Sequence, residues 1–333
     1  MRAVVLVGGF GTRLRPLTLT TPKPLLPVGH VPILEHVVGN LGRSGVTEAV
    51  LALGFRPDAF TDAYPDGTCA GVKLVYAVEP EPLDTAGAIA FAARSAGIDD
   101  TFLVANGDVL TDLDVAQLLA FHRSHGGEGT IHLTPVEDPS QFGVVPTDED
   151  GLVQAFIEKP SRHEAPTNLI NGGTYVLEAS VLDRIETGKR VSIERVVFPA
   201  MVLDRSLYAM ATDDYWLDTG RPDLYRQANT DLLTGRRHRT SEALGGDVTV
   251  AATASVEDSV VGTGSTIADR AVVSDSALQA GVSVGEQAVV RSSCIGAGAV
   301  IGAGADLFDA VIGDGVIVAA GERLHGVRVP EPT

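Results

Sequence analysis

The sequence predicts an α/β domain with a mostly parallel sheet, followed by a parallel β-helix. Three observations predict it. Short β-branched runs alternate with stretches of helical spacing through the first half of the chain. From Leu244 onward, apolar residues recur at a fixed shift of 17. The chain has 333 residues, 44% hydrophobic and 20% charged, a globular composition long enough for two domains.

In chain order, residues 2–7 form a short β-branched run bounded by glycines, read as a strand. Residues 33–42 carry helical spacing through Ile33, Val37 and Leu41. Residues 49–53, 72–78 and 101–105 read as strands, and 85–96 and 115–125 as helices. Strands separated by helices imply βαβ units, with helices on both faces of the sheet. Between 130 and 211 the pattern is mixed: strands at 130–136, 143–145, 152–157 and 174–176, helices at 179–185 and 193–203. This half is expected to be a lid or substrate-binding part on the same sheet. A helix at 222–233 closes the domain. The expected division is a first domain over 1–235, a linker over 236–243 that begins with the basic run 236–239, and a repeat over 244–333.

The repeat aligns in three columns. One holds Leu244, Val261, Leu278, Cys294/Ile295 and Ile312; the next Val250, Ile267, Val284, Ile301 and Val318; the third Val256, Val273, Val290, Leu307 and Leu324. Apolar steps of 6, 6 and 5 within each block give three short strands per coil. A coil that cannot bury its own face stacks on its neighbours. Gly follows the inward residue at 262, 285, 296, 302 and 313. The pattern resembles the left-handed parallel β-helix of hexapeptide-repeat proteins.

Composition excludes several function classes. Asp and Glu outnumber Lys and Arg by 43 to 25, a net charge of −18, whereas non-specific nucleic-acid binding needs a cationic surface. No apolar run approaches the roughly 18 residues of a membrane span, and residues 1–7 are too short for a signal-peptide core. Cys69 and Cys294 stand far apart and form neither a disulfide framework nor a metal cluster. A soluble, cytoplasmic, reduced protein is expected.

The first strand runs into Gly8-Gly9-Phe10-Gly11-Thr12-Arg13. Such a turn exposes N–H groups to phosphate oxygens. It is not a dinucleotide fingerprint, because Leu14 occupies the third Gly position, and no G-K-[ST] follows as in a P-loop. Arg13, then Lys23 among Pro22, Pro24 and Pro27, suits a triphosphate better than a monophosphate. Asp108 ends a strand at the carboxyl edge of the sheet, where α/β folds bind ligands.

The stretch 8–27 resembles the signature of the sugar-1-phosphate nucleotidylyltransferases, or nucleotide-sugar pyrophosphorylases. The resemblance continues through Pro82–Gly87, Asn106-Gly107-Asp108, Phe156–Pro160, Asn171-Gly172-Gly173 and Trp216–Gly220, covering residues 1–235 in order. With the repeat added, the chain is most similar to bacterial mannose-1-phosphate guanylyltransferases. The resemblance implies a Rossmann-like nucleotidyltransferase domain that converts a nucleoside triphosphate and a sugar 1-phosphate into an NDP-sugar and pyrophosphate.

The same resemblance implies the site. Leu6, Gly8, Gly9, Gly11, Thr12, Arg13, Lys23, Glu79, Asp84, Thr85 and Gly107 would hold the nucleotide. Gly143, Glu158, Lys159, Asn171 and Gly173 would hold the sugar phosphate. Asp108 and Asp218 would share one Mg²⁺, and Arg13, Lys23 and Lys159 would carry the catalytic positive charge. Guanine presents two donors on one edge, which an ionised carboxylate at Glu79 accepts, so GTP is favoured, with Glu81 as the substitute if the loop register shifts. Asp84 departs from the family, where Gly is usual before Thr. The partners expected are the two small substrates and further copies of the chain. Alternatives stay open: ATP, UTP or dTTP with glucose 1-phosphate, GTP with a cyclitol phosphate, or a non-catalytic regulatory subunit. Acyl transfer would need a His between coils, and the repeat offers only His325 at its end.

Overall fold

The computed structural model describes residues 1–54, 56–237 and 240–331. By its contacts the chain forms two compact units. One comprises Met1–Gly9 and Leu34–Trp216; the other comprises Phe10–Ile33 and the residues from Leu217 onward. The division therefore does not follow the expected cut at 235. The reason lies inside the second unit, where residues 10–33 bond to residues beyond 217. Gly29 N donates to Asn229 Oδ1 at 2.8 Å, Tyr225 OH donates to the Pro27 carbonyl at 2.5 Å, and His30 Nε2 donates to the Glu242 carbonyl at 2.9 Å. Of the expected basic linker, Arg237 is buried, and His238 and Arg239 lie outside the described residues.

The first unit is built on one sheet. Its elements are β1 (Arg2–Leu6), α1 (Ile33–Arg43), β2 (Glu48–Leu53), α2 (Pro57–Ala63), β3 (Thr68–Cys69), β4 (Val72–Val78), α3 (Asp84–Ser95), β5 (Phe102–Asn106), β6 (Val109–Thr111), α4 (Val115–His125), β7 (Gly129–Pro135), β8 (Gly143–Val144), β9 (Ile157–Glu158), β10 (Leu169–Leu177), α5 (Phe198–Leu203) and β11 (Leu207–Ala211). The strand order is β9-β8-β10-β5-β1-β2-β4-β3, with β7 joining β10 and β11 joining β7. The centre, β5-β1-β2-β4, is parallel; β3, β8, β9 and β10 run antiparallel to their neighbours. Val4, Val50 and Val104 lie fully buried on these central strands and pack with Ile89 and Ala92 of α3. Strands buried on both faces read as continuous apolar runs, which made them visible in the sequence.

The mixed half departs from expectation in detail. Residues 152–157 do not form a continuous strand: Leu152 and Val153 make single bridges to Tyr208 and Thr147, and β9 begins at Ile157. Residues 179–184 form a 3₁₀ helix. Residues 193–203 form a π-helical turn, Ile193–Val197, that passes into α5. Pro199, which has no N–H to donate, stands just after that join.

The second unit contains the hairpin Pro27–Val28/Val31–Pro32, the helix α6 (Pro222–Leu233) and the left-handed β-helix. Three parallel five-stranded sheets run along the solenoid, each strand pairing with the one 17 residues later. The inward columns close the core: Ile267, Val273, Leu278, Val284, Val290, Ile295, Ile301, Leu307 and Ile312 are nearly or fully buried. Gly302 needs to be glycine, because an added Cβ would lie 2.5 Å from Ala320 N in the next coil. One corner carries a buried ladder of serines at 259, 276 and 293. Each hydroxyl accepts from the N–H 17 residues later and donates to the carbonyl two residues earlier.

Candidate active site

Within the first unit, β1 ends beside β2 and β5. Leu6 pairs with Ala52 and Asn106, and its carbonyl accepts from Gly107 N at 2.9 Å. Gly107 has no room for a side chain: a Cβ there would stand 2.5 Å from Val7 Cγ1 and 2.9 Å from the Leu6 carbonyl. Its smallness is required by the chain itself. Gly8 faces Gly54 and Glu79, whose Oε1 would lie 3.6 Å from an added Cβ, whereas a Cβ on Gly9 would meet nothing within 4 Å. The structure thus brings Glu79 to the end of the first glycine pair. Glu79 Oε2 accepts from Leu83 N at 2.9 Å, which leaves Oε1 for a ligand. Burial pushes the Glu79 carboxyl above its ordinary range, with the Leu83 bond opposing that shift.

The next turn explains the departure at Asp84. Asp84 has φ 61°, in the left-handed region where Gly is the easy residue and Asp the next best tolerated. Its Oδ1 accepts from Thr85 N at 2.9 Å, and Arg190 Nε lies 3.9 Å from Oδ2. Thr85 Oγ1 donates to Glu194 Oε2 at 2.7 Å and accepts from Ile193 N at 2.9 Å. The Val191 carbonyl accepts from the N–H groups of Ala86 and Gly87. The start of α3 is therefore occupied by the chain's own segment 189–194. Thr85 enters the site as a fastening of the loop after Glu79. Glu194 escaped sequence reading; its only sequence-level mark is that Ser192, three positions after Lys189, precedes Ile193 and Glu194 as a helix-start pattern, and Ser192 Oγ does accept from Arg195 N.

The residues expected to hold the sugar phosphate gather on β8, β9 and β10. Gly143 pairs with Glu158. A Cβ on Gly143 would meet the Phe156 ring at 2.6 Å and Glu158 Oε2 at 3.2 Å. Lys159 has φ 50° and places its ammonium 3.5 Å from Glu158 Oε1, with the ammonium largely exposed. Asn171 opens a bulge in the pairing of β10 with β7. Its Oδ1 accepts from Gly173 N at 2.9 Å and its Nδ2 donates to Tyr175 OH at 2.8 Å. Gly173 has φ 76°, and a Cβ there would stand 2.5 Å from Asn106 Nδ2. Trp216 Nε1 donates to the Gly172 carbonyl at 2.8 Å. Asp108 follows Gly107 and is half-buried.

Within the second unit, Gly11 has φ 59° and opens a 3₁₀ turn, Thr12–Leu14. Thr12 and Arg13 are exposed on that turn. Lys23 is buried, and its ammonium donates to Asp218 Oδ1 at 3.0 Å. Arg13 Nη2 lies 3.9 Å from Asp218 Oδ2. Gly220 makes that approach possible, since a Cβ there would stand 2.8 Å from Arg13 Nη2 and 3.0 Å from Asp218 Oδ1. Two cations thus converge on one carboxylate, the arrangement a polyphosphate can enter by sharing the cations. Asp108 belongs to the first unit and Asp218 to the second. Among the described residues no group of three or more His, Cys, Asp or Glu side chains comes together for a metal.

The family profile of nucleotidyl transferases matches residues 2–235. The chain belongs to that family. A second profile, the GlmU-like C-terminal hexapeptide region, matches residues 237–327. The mannose-1-phosphate guanylyltransferase of Mycobacterium tuberculosis is 42% identical over 273 residues, 79% of this chain and 75% of that protein. The mannose-1-phosphate guanyltransferase of Schizosaccharomyces pombe is 45% identical over 248 residues, 73% of this chain and 68% of that protein. Among solved structures, HddC from Yersinia pseudotuberculosis complexed with GMP-PN superposes with a TM-score of 0.57 at 28% identity, covering 68% of this chain and 97% of that one. Among the described residues no helix is long and apolar enough to cross a membrane.

Proposed function

We propose that this nucleotidyl transferase joins GTP and mannose 1-phosphate to give GDP-mannose and pyrophosphate. The observation that carries the reading is the pair of cations, Arg13 and Lys23, held on Asp218 beside a glycine turn. The relatives named for this reaction share 42–45% of their residues with the chain over most of its length. Glu79 supports guanine, because its carboxylate only accepts hydrogen bonds and the N1–H and 2-amino group of guanine both donate.

The chemistry is one displacement. A phosphate oxygen of the sugar 1-phosphate attacks the α-phosphorus of the triphosphate, the α–β P–O bond breaks, and pyrophosphate leaves with the bonding pair. The attacking phosphate has a second pKa of about 6 and is largely dianionic at pH 7, so no strong base is needed. The obstacle is anion meeting anion. Arg13 and Lys23 stabilise the departing pyrophosphate; Lys159 holds the sugar phosphate; Glu158 and Asn171 receive sugar hydroxyls. Asp108 and Asp218 carry the hard carboxylate oxygens that would hold Mg²⁺. That ion would supply positive charge to offset the phosphates' repulsion. The proposed enzyme is cytoplasmic and homo-oligomeric, and neither nucleic acid nor a membrane has a part in its reaction.

The test is a matrix of GTP, ATP, UTP and dTTP against mannose and glucose 1-phosphates, read as pyrophosphate release. GTP with mannose 1-phosphate is expected to lead. Asp108→Asn should lower turnover by at least ~10²-fold, the scale of a lost electrostatic contact to the reacting groups. Release from no nucleotide would sink the reading; near-normal turnover of the variant would remove Asp108 from the metal.

A further inference from the structure

Two residues of the last coils break the 17-residue pattern. Asp314 stands where the earlier coils have Gly246, Thr263, Ala280 and Ala297. Arg328 stands where they have Val260, Ala277, Cys294 and Val311, all buried. The repeat does not need a carboxylate or a guanidinium at these positions. Both reach residues 15–20, the stretch between Arg13 and Lys23. Asp314 Oδ1 accepts from Ala297 N at 2.9 Å, while Oδ2 accepts from Thr20 Oγ1. Arg328 Nη1 donates to the Arg15 carbonyl at 3.2 Å. Between them Pro16 lies against Gly313, 3.2 Å from where a Cβ would be. All of these residues belong to the second unit.

The stretch so held is bonded in turn to the glycine turn. Thr18 Oγ1 donates to the Gly11 carbonyl at 2.8 Å, Leu14 N donates to the same carbonyl at 2.9 Å, and Leu19 N donates to the Pro16 carbonyl at 3.0 Å. Its only regular structure is short 3₁₀ turns, which carry little stability of their own. A loop of that kind keeps a reactive geometry only when something outside it fixes its ends, and small misplacements of a charged group cost rate.

We infer that Asp314 and Arg328 are positioning residues: through Thr20 and Arg15 the solenoid sets the loop that presents Arg13 and Lys23 to the triphosphate. The inference rests on the nucleotidyl-transfer reading above and gives the β-helix a part in nucleotide binding.

The experiment compares Thr20→Val, Arg328→Met and the double variant with Thr20→Ser, which keeps the hydroxyl. Loss of both contacts should raise KM for GTP about tenfold, the worth of one or two hydrogen bonds, and leave KM for mannose 1-phosphate within about twofold. Thr20→Ser should behave as the unaltered enzyme. Amide exchange at Leu14 and Leu19 should accelerate in the double variant while the solenoid coils keep their protection. A double variant with unaltered KM for GTP and unaltered exchange over residues 11–26 would overturn the inference. If the unaltered enzyme releases pyrophosphate from no nucleotide, the functional reading fails, and the exchange at Leu14 and Leu19 still decides whether the solenoid holds the loop.

Discussion

At Asp84 the backbone takes φ 61°, and a single residue shows how conformation and chemistry share one position. The family resemblance expects Gly there, which makes Asp read as a change in the base pocket. The dihedral gives a simpler cause: the turn requires a left-handed residue, and Asp is among the few side chains that accept it. The side chain then adds a bond to Thr85 N. Alanine would keep the strain and lose the bond, so Asp84→Ala should cost about 1–2 kcal/mol. Glycine would relieve the strain, lose the bond and loosen the unfolded chain, so Asp84→Gly should stay within about 0.5 kcal/mol of the parent. Urea unfolding of the two variants separates these outcomes. An alanine variant as stable as the parent would show that the turn does not demand the left-handed conformation.

At the scale of elements, strands and coils were legible and their fastenings were not. β1, β2 and β5 announced themselves because both faces are buried, β4 by its β-branched and aromatic run although Lys73 and Val78 are exposed, and the solenoid because each coil repeats its inward residues. Segment 152–157 misled, since a mostly apolar run can remain irregular when it finds only single bridges. The Asn171-Gly172-Gly173 motif was legible in the sequence, but its bulge was not, for it depends on His132 of β7. His132 is fully buried, shares a hydrogen bond of 2.9 Å with Thr212 through Nε2, and has no partner at Nδ1 among the described residues. A Cβ on Gly172 would lie 2.4 Å from that Nδ1, so the glycine makes room for the imidazole. Burial lowers the His132 pKa to about 4, against an unfolded value near 6.5. The folded state therefore binds this proton less readily than the unfolded one. Its contribution is complete above about pH 6.5 and is lost as pH falls toward 4. At pH 5 the loss should be roughly 2 kcal/mol relative to pH 7, and His132→Asn should remove that part of the pH dependence. Denaturant unfolding of both proteins at pH 7 and pH 5 checks it; parallel pH slopes would refute the assignment to His132.

For the whole molecule, the division into units places Arg13, Lys23 and Asp218 with the solenoid, and Glu79, Asp108, Glu158 and Lys159 with the sheet. Sequence alone divides the chain at 235, where the closing helix has ended and the basic run before the repeat begins. It could not see that residues 10–33 leave the sheet unit through bonds to Asn229, Tyr225 and Glu242, which are distant in sequence. This has a consequence for stability. Proteins open in cooperative pieces, and a segment exchanges with the piece to which it is bonded. The amides of Leu14, Leu26 and Ile33 should therefore share the fate of the coils, while Val4 and Val5 of β1 follow the sheet. Gly302→Ala supplies the lesion, since its methyl would press within 2.5 Å of Ala320 N in the next coil. A backbone clash of this kind typically costs about 1–3 kcal/mol. In that variant, hydrogen exchange should quicken at Leu14, Leu26 and Ile33 together with the coils, and Val4 and Val5 should be unchanged. A fault nearly 290 residues from Arg13 would then loosen the loop that carries Arg13 and Lys23 without touching it. If Leu14, Leu26 and Ile33 instead kept the protection of β1, the first glycine turn would belong to the sheet, and the solenoid would be a separate body.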